Sequence, residues 1–298
     1  MEKRQLGNTD MQVSLLGFGG AETGFSGTDV EIVAKLLGTA LDAGLNILDS
    51  AECYGNGEEL IGNAVSHRRK DYYLFTKCGH SSGFDLPDWD VKMLEQSIER
   101  SLLRLKTDYV DLIQLHSCSE ETLRNGEVIE VLQRARAAGK ARYIGYSGDN
   151  EAAHYAIECG AFDTLQTSVS IADQCPIGDT LRLAKEKGMG VIAKRPIGNA
   201  VWREKTLPEN GYYHPYWHRI QELKYDFLAG DLAESFGVAL RFTASLPEVG
   251  TMIVGTTQPG RWEQNAKLLS VGNLSTAQFE AIRARWKEVA REDWIGQG

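Results

Sequence analysis

Four side chains near the ends of consecutive apolar runs have the types that acid chemistry on a carbonyl needs. Leu48-Asp49-Ser50-Ala51-Glu52-Cys53-Tyr54-Gly55 closes one run, Thr76-Lys77-Cys78 the next, and Gln114-Leu115-His116-Ser117 the one after. A tyrosine with an ordinary pKa near ~10 is a poor acid at neutral pH. An ammonium beside it stabilises the phenolate and lowers that pKa, and a carboxylate can hold the ammonium in place. Asp49, Lys77 and Tyr54 supply those three groups, and His116 can hydrogen-bond a substrate oxygen and orient it for proton transfer. Taken singly, each has an ordinary role: a helix cap, a surface ion-pair partner, a packed aromatic, a satisfied histidine. Ordinary roles do not explain all four on consecutive strand ends.

The elements that must position them are short β-branched or aromatic runs alternating with amphipathic stretches. The runs are VSLLGFGG from Val13, NILDSA from Asn46, YYLFTKCG from Tyr72, YVDLIQLH from Tyr109, RYIGYSG from Arg142, TLQTSVS from Thr164, GVIAKRP from Gly190 and TMIVGTT from Thr251. Runs apolar on both faces predict a parallel sheet covered by helices, and eight of them suit closure. The expected fold is α/β, a (β/α)8 TIM barrel forming a single domain over residues 1–298. Active sites of such barrels lie where the strands end, which is where the four residues fall. A doubly wound sheet would carry G-x-G-x-x-G after its first strand. Here Gly17-Phe18-Gly19-Gly20-Ala21-Glu22 puts Glu22 at the third glycine. YGNGEELIG from Tyr54 lacks the G-K-[ST] ending of a phosphate loop.

Three pieces exceed a minimal barrel. KRQL and MQVS around Gly7-Asn8-Thr9-Asp10 predict a hairpin, residues 197–250 form a long connection before the last strand, and STAQFEAIRARWKEVA predicts a terminal helix capped by Ser275. The connection holds WREKTLPENGYYHPYWHR, an aromatic-rich stretch expected to be irregular, whose Trp202 and Trp217 could wall a substrate pocket.

Composition narrows the partners. Lys and Arg total 32 against 41 Asp and Glu, and a formal charge of -9 repels nucleic acid and anionic membranes. No apolar run reaches the roughly 18 residues of a membrane span, and MEKRQLGNTDMQV has no signal-peptide core, so a cytoplasmic location is expected. The five cysteines contain no C-x-x-C pair, which argues against a disulfide framework or zinc knuckle. Cys53, Cys78 and Cys118 lie beside the four residues, and wall-filling is the commoner use of such thiols. His214 and His218 have H-x3-H spacing, but Pro215 predicts a helix start that leaves His214 outside it, so no metal site is expected. Glu52 either lines the pocket or caps the following turn.

With these residues in view, the chain resembles the aldo-keto reductase family. Gly44-Leu45-Asn46-Ile47-Leu48-Asp49-Ser50-Ala51-Glu52-Cys53-Tyr54-Gly55, with Glu59 and Gly62 behind it, is similar to that family's G-x-x-x-[FL]-D-[TS]-A-x-x-Y-G motif. Thr76-Lys77 and the segment Asp108 to His116 resemble its catalytic lysine and D-Y-[VI]-D-L-x-x-[LI]-H pattern, in the family's order. The resemblance implies NADPH-dependent reduction of a small-molecule aldehyde or ketone, with Tyr54 as acid, Lys77 and Asp49 tuning it and His116 orienting substrate. It also implies that Ser147 and Gln166 hold the carboxamide, although Gly148 stands where the family has asparagine. Ala193-Lys194-Arg195-Pro196 replaces the usual aromatic after the seventh run, so Lys194 or Arg195 would lie over the nicotinamide or bind the pyrophosphate. A planar guanidinium favours Arg195 for stacking. Thr256, Thr257, Arg261 and Asn265 match the loop that holds the 2′-phosphate end, with Gln264 where a glutamate is common and Gly255 in place of a frequent lysine. Two rivals remain: a catalytically silent NADPH-binding barrel acting as sensor or regulatory subunit, and a Schiff-base aldolase using Lys77 or Lys194.

One outcome follows from sequence alone. A charge-assisted contact contributes ~1.5 to 3 kcal/mol, or ~10- to 150-fold in affinity. Arg261→Ala should weaken NADPH binding by that order and leave NADH almost unchanged when both are titrated by quenching of tryptophan fluorescence. Equal losses would show that Arg261 does not read the 2′-phosphate.

Overall fold

Strands that are apolar on both faces must be covered on both, and this chain does so by closing its sheet into a ring. The computed structural model describes residues 1–297. An antiparallel hairpin, β1 (Lys3–Gln5) and β2 (Gln12–Ser14), precedes β3 (Leu16–Gly19), β4 (Ile47–Asp49), β5 (Tyr73–Cys78), β6 (Val110–His116), β7 (Ala141–Ser147), β8 (Thr164–Ser168), β9 (Gly190–Lys194) and β10 (Val249–Gly255). The last eight form a closed parallel barrel in the order β10-β3-β4-β5-β6-β7-β8-β9. This is the (β/α)8 architecture expected from the sequence.

The run from Val13 is two strands rather than one, and Asn46 is the cause. Its Oδ1 accepts from Ser14 N at 2.6 Å, its Nδ2 donates to Gln12 O at 2.8 Å, and its own N–H donates to Ser14 Oγ at 3.1 Å. Those bonds occupy the backbone at Ser14, and the pairing of β3 with β4 begins at Phe18 and Leu48. The hairpin then closes the N-terminal end of the barrel. Leu6, Met11 and Val13 pack, fully buried, against Ile47, Phe75, Leu112, Ile192 and Ile253.

Helices cover the outside through regular apolar stripes. The helix Val30–Asp42 buries Val33, Leu36, Leu37, Ala40 and Leu41, an i, i+3, i+4, i+7, i+8 pattern. The connection over residues 197–250 is largely helical, and its stretch from Trp202, expected to be irregular, ends inside a helix. It contains a short turn at Gly198–Arg203, another at Gly211–Tyr213, and the helices His214–Leu223 and Leu232–Ala244. Pro215 sits in the first turn of His214–Leu223, where its missing N–H leaves nothing unsatisfied. His214 is therefore inside the helix rather than before it, and its ring lies 6.4 Å from that of His218. The terminal helix Thr276–Val289 opens at Ser275 in a capping box with Gln278. Among the described residues, no helix is long and apolar enough to cross a membrane.

Gly62 shows how tightly the layers meet. A Cβ there would stand 2.1 Å from the backbone oxygen of Arg104, at the contact between the helices Gly57–Val65 and Val91–Leu105. Alanine is intrinsically the better helix former by ~1 kcal/mol, whereas overpacking costs ~1 to 3 kcal/mol. Gly62→Ala should lower the melting temperature by a few degrees in thermal unfolding. A rise would show that the helices have room to separate.

Candidate active site

The four residues meet at the C-terminal mouth of the barrel because neighbouring strands carry them. The pairing of β4 with β5 continues past Asp49 through Ser50 N to Phe75 O (2.9 Å) and Glu52 N to Lys77 O (3.0 Å), which holds the Tyr54 loop against the Lys77 strand. Lys77 Nζ donates to Asp49 Oδ1 at 2.5 Å and to Ser50 O at 2.8 Å. Both side chains are almost completely buried, at 2% and 4% exposure. Burial pulls the Lys77 ammonium down, but Asp49, by attraction and hydrogen bond, together with Tyr54 and Cys53 outweighs it, and the pKa rises above the usual lysine value. The lysine is a fixed cation. Its ammonium lies 5.2 Å from the centroid of the Tyr54 ring.

The direction for Tyr54 differs from the sequence expectation. Burial pushes its phenol above 10 by more than Lys77 lowers it, so the site at rest holds a protonated tyrosine. Tyr54 Oη lies 3.4 Å from His116 Nε2, and the two rings meet edge to face. His116 is held well below its usual pKa, first by burial and then by Lys77, so the imidazole is neutral. Cys53 Sγ is 3.3 Å from its other nitrogen, Nδ1. Burial pushes that thiol up to about 11, so it keeps its proton and donates to Nδ1. With Cys53 as the donor to Nδ1, the ring proton of His116 is assigned to Nε2, facing Tyr54.

Behind the loop lies a second set of buried charges. Glu52 neither caps a turn nor faces a pocket: it is 2% exposed and pairs with Arg100 and Arg104 of the helix Val91–Leu105, Arg104 Nη1 at 2.9 Å. The acidic residue that enters the interior behind the Tyr54 motif is Glu58, whereas Glu59 is exposed. Glu58 Oε1 accepts from Thr76 Oγ1 at 2.6 Å, which ties it to the residue beside Lys77.

The residues expected around a cofactor lie on the following strand ends. Ser147 and Gln166 are buried on neighbouring β7 and β8, and Gln166 Oε1 accepts from Gln114 Nε2 at 3.1 Å. Gly148 is explained by its neighbour, since a Cβ there would stand 2.3 Å from Tyr146 Oη, which donates to Cys118 O. Lys194 pairs with the buried Asp149 at 2.9 Å. Arg195 bonds Ser168 Oγ (2.6 Å), Tyr212 Oη (2.7 Å) and Gln297 O, with its guanidinium 5.3 Å from the Tyr212 ring centroid. Asn265 and Thr256 are buried, Thr257 is half-buried, and Arg261 and Gln264 are exposed. The helix Arg261–Leu269 begins at Gly260 without a side-chain cap, and Arg261 Nη2 donates to Gln258 Oε1 at 2.9 Å. Uncapped first-turn N–H groups beside an arginine suit a phosphate, and buried amide and hydroxyl groups suit a carboxamide, so this donor set fits a dinucleotide.

Trp202 and Trp217 belong to a separate apolar cluster with Tyr216, Ile220 and Val238. Trp202 packs on Phe236, and Trp217 Nε1 donates to Glu204 O. The rings nearest the four residues are Phe25, whose centroid is 5.8 Å from that of Tyr54, and His80, 5.1 Å from His116 with Trp89 behind it. No motif marks Phe25, His80 or Trp89, and the sequence reading missed them.

Comparisons with known proteins bear on the family and the fold. A model described as "Aldo/keto reductase family" matches residues 15–287. The chain belongs to the aldo/keto reductase family. It is 28% identical to the uncharacterized oxidoreductase YqkF of Bacillus subtilis (strain 168), over 97% of each chain. It is also 28% identical to L-galactose dehydrogenase of Arabidopsis thaliana, over 95% of this chain and 94% of that one. Its fold superposes on the holo form of aldo-keto reductase AKR11C1 from Bacillus halodurans with a TM-score of 0.84 at 27% identity, covering 99% of both. Membership supports an oxidoreductase, and together with the holo-form neighbour it implies a nicotinamide cofactor.

The second set of charges carries a pH signature. Burial pushes the Glu58 carboxyl from an ordinary 4.5 up to about 7. The folded state thus keeps a proton that the unfolded chain releases. Stability from this group is full below the unfolded value and is lost as pH rises to about 7, by up to about 3 kcal/mol. Glu58→Gln should raise the melting temperature, relative to wild type, more at about pH 8 than at about pH 5. An equal difference at both would show that Glu58 titrates normally.

Proposed function

We propose that the protein reduces an aldehyde or ketone to the alcohol with NADPH, using Tyr54 as the proton donor. The observation that carries this reading is the protonated Tyr54 phenol set between a fixed ammonium and a neutral imidazole. When bound, the nicotinamide supplies the hydride for the carbonyl carbon. Ser147 and Gln166 would hold its carboxamide; Thr256, Thr257, Arg261, Gln264 and Asn265 would hold the adenosine end, with Lys194 and Arg195 between.

His116 Nε2–H and Tyr54 Oη–H both offer donors to the substrate oxygen, so the carbonyl is polarised before it reacts. As charge develops on that oxygen, Tyr54 passes its proton across. The phenolate left behind lies beside Lys77, whose ammonium stabilises that state, while Asp49 keeps Lys77 charged and in place. Solvent then returns a proton to Tyr54. The same groups run in reverse would oxidise an alcohol. The Schiff-base reading is disfavoured because Lys77 and Lys194 are both ion-paired with carboxylates, where a nucleophilic amine must be free and neutral. The intact set of four argues against a silent barrel.

Tyr54→Phe keeps the ring and removes the acid. Its kcat for aldehyde reduction should fall ~10²-fold or more, with cofactor affinity little changed. Turnover within a few-fold of wild type would overturn the assignment of Tyr54.

A further inference from the structure

Cys53 and His80 have no part in the proton transfer, yet both reach the imidazole that does. One donor atom from each of Cys53, His80 and His116 lies within 4.8 Å of the other two, and all three residues are partly exposed at the mouth. Cys53 Sγ and His116 Nδ1 are 3.3 Å apart. His80 Nδ1 is bonded to Asp88 Oδ2 at 3.0 Å, and Asp88 Oδ1 accepts from Ser81 N. That contact leaves His80 Nε2 as the free nitrogen, oriented by a carboxylate in the way that ligating histidines usually are.

We propose that Cys53, His80 and His116 form a site for a zinc-like divalent cation that closes the barrel mouth. One thiolate and two imidazoles make a borderline-soft donor set that selects zinc over magnesium or calcium, which take oxygen ligands. A tetrahedral ion with bonds of ~2.0 to 2.3 Å needs donors roughly 3.5 Å apart. Cys53 and His116 already meet that spacing, and a ring nitrogen of His80 lies within 4.8 Å of both donors. Binding forms the Zn–S bond and sends the thiol proton to solvent. It leaves the Nε2 proton of His116 in place, since the ion takes Nδ1. Three protein ligands leave a fourth position for water. Because the ion fixes and polarises the imidazole whose Nε2–H meets the substrate oxygen, zinc is expected to change carbonyl reduction reversibly. That consequence rests on the proposed reduction, whereas the binding itself does not.

The test uses the full chain titrated with Zn²⁺ by calorimetry and with Co²⁺ by absorption. We expect one ion per chain and a thiolate-to-cobalt charge-transfer band. Cys53→Ser should abolish the band, and both Cys53→Ser and His80→Gln should weaken Zn²⁺ by ~10-fold or more. A rival pair exists in His214 and His218, although His214 Nε2 is already bonded to Pro208 O at 2.7 Å. Absence of the thiolate band, unchanged zinc affinity in both variants, or loss of binding in His218→Gln instead would overturn the site. Stoichiometric binding at Cys53 and His80 by a chain that reduces no carbonyl would support the site while refuting the reductase reading.

Discussion

An ammonium and a carboxylate held 2.5 Å apart in the wall of a barrel, out of reach of water, set the terms for everything around them. Taking an ion out of water costs several kcal/mol even after relaxation, and attraction repays this only when geometry is held closely. The chain meets that demand by continuing backbone pairing beyond the end of β4, so that Asp49, Ser50 and Glu52 all lean on the Lys77 strand. Glu52 then anchors the same loop to the helix outside through two arginines, and Glu58 reaches Thr76 from behind. Buried charge is thus clustered where a positioned cation has a use. Other buried carboxylates, Asp111, Asp149 and Asp173, lie outside this cluster, each paired with an arginine or a lysine.

Much of this could be read from the chain before its fold was known, for reasons specific to particular residues. Strand ends are legible because apolar runs stop there, and Asp49, Tyr54, Lys77 and His116 stood out as polar groups at such stops. Their acidities were less legible. A phenol beside an ammonium should titrate low, yet Tyr54 goes the other way because the loop that brings Lys77 near also removes the water that would solvate a phenolate. Glu58 and Glu59 are adjacent and identical in type, and only the direction of a helix face sends one inside and leaves the other out. His80 lies in a loop with no periodicity, so nothing in its neighbours announces that it meets His116.

The departures from the family pattern have local causes. Gly148 stands where asparagine is usual because Tyr146 fills the space that a side chain would need. Arg195, expected to offer a flat cation to a ring, has the ring of Tyr212 beside it and hydrogen bonds to Tyr212, Ser168 and Gln297. It thereby joins the end of β9 to the long connection and to the final residues of the described chain. Asn150 and Gly296 add a reciprocal pair of bonds between the same terminal stretch and the loop after β7. The rim is latched at several points, and each latch joins segments far apart in sequence.

The hairpin beneath the barrel has a kinetic consequence. With Leu6, Met11 and Val13 seated among the inward-facing side chains of five strands, the floor is a solid plug. Traffic to Tyr54 is confined to the opposite end, so two reactants must share one doorway. A barrel stoppered at one end in this way fills and empties only past its rim, whose latched segments therefore bear on how fast anything comes and goes.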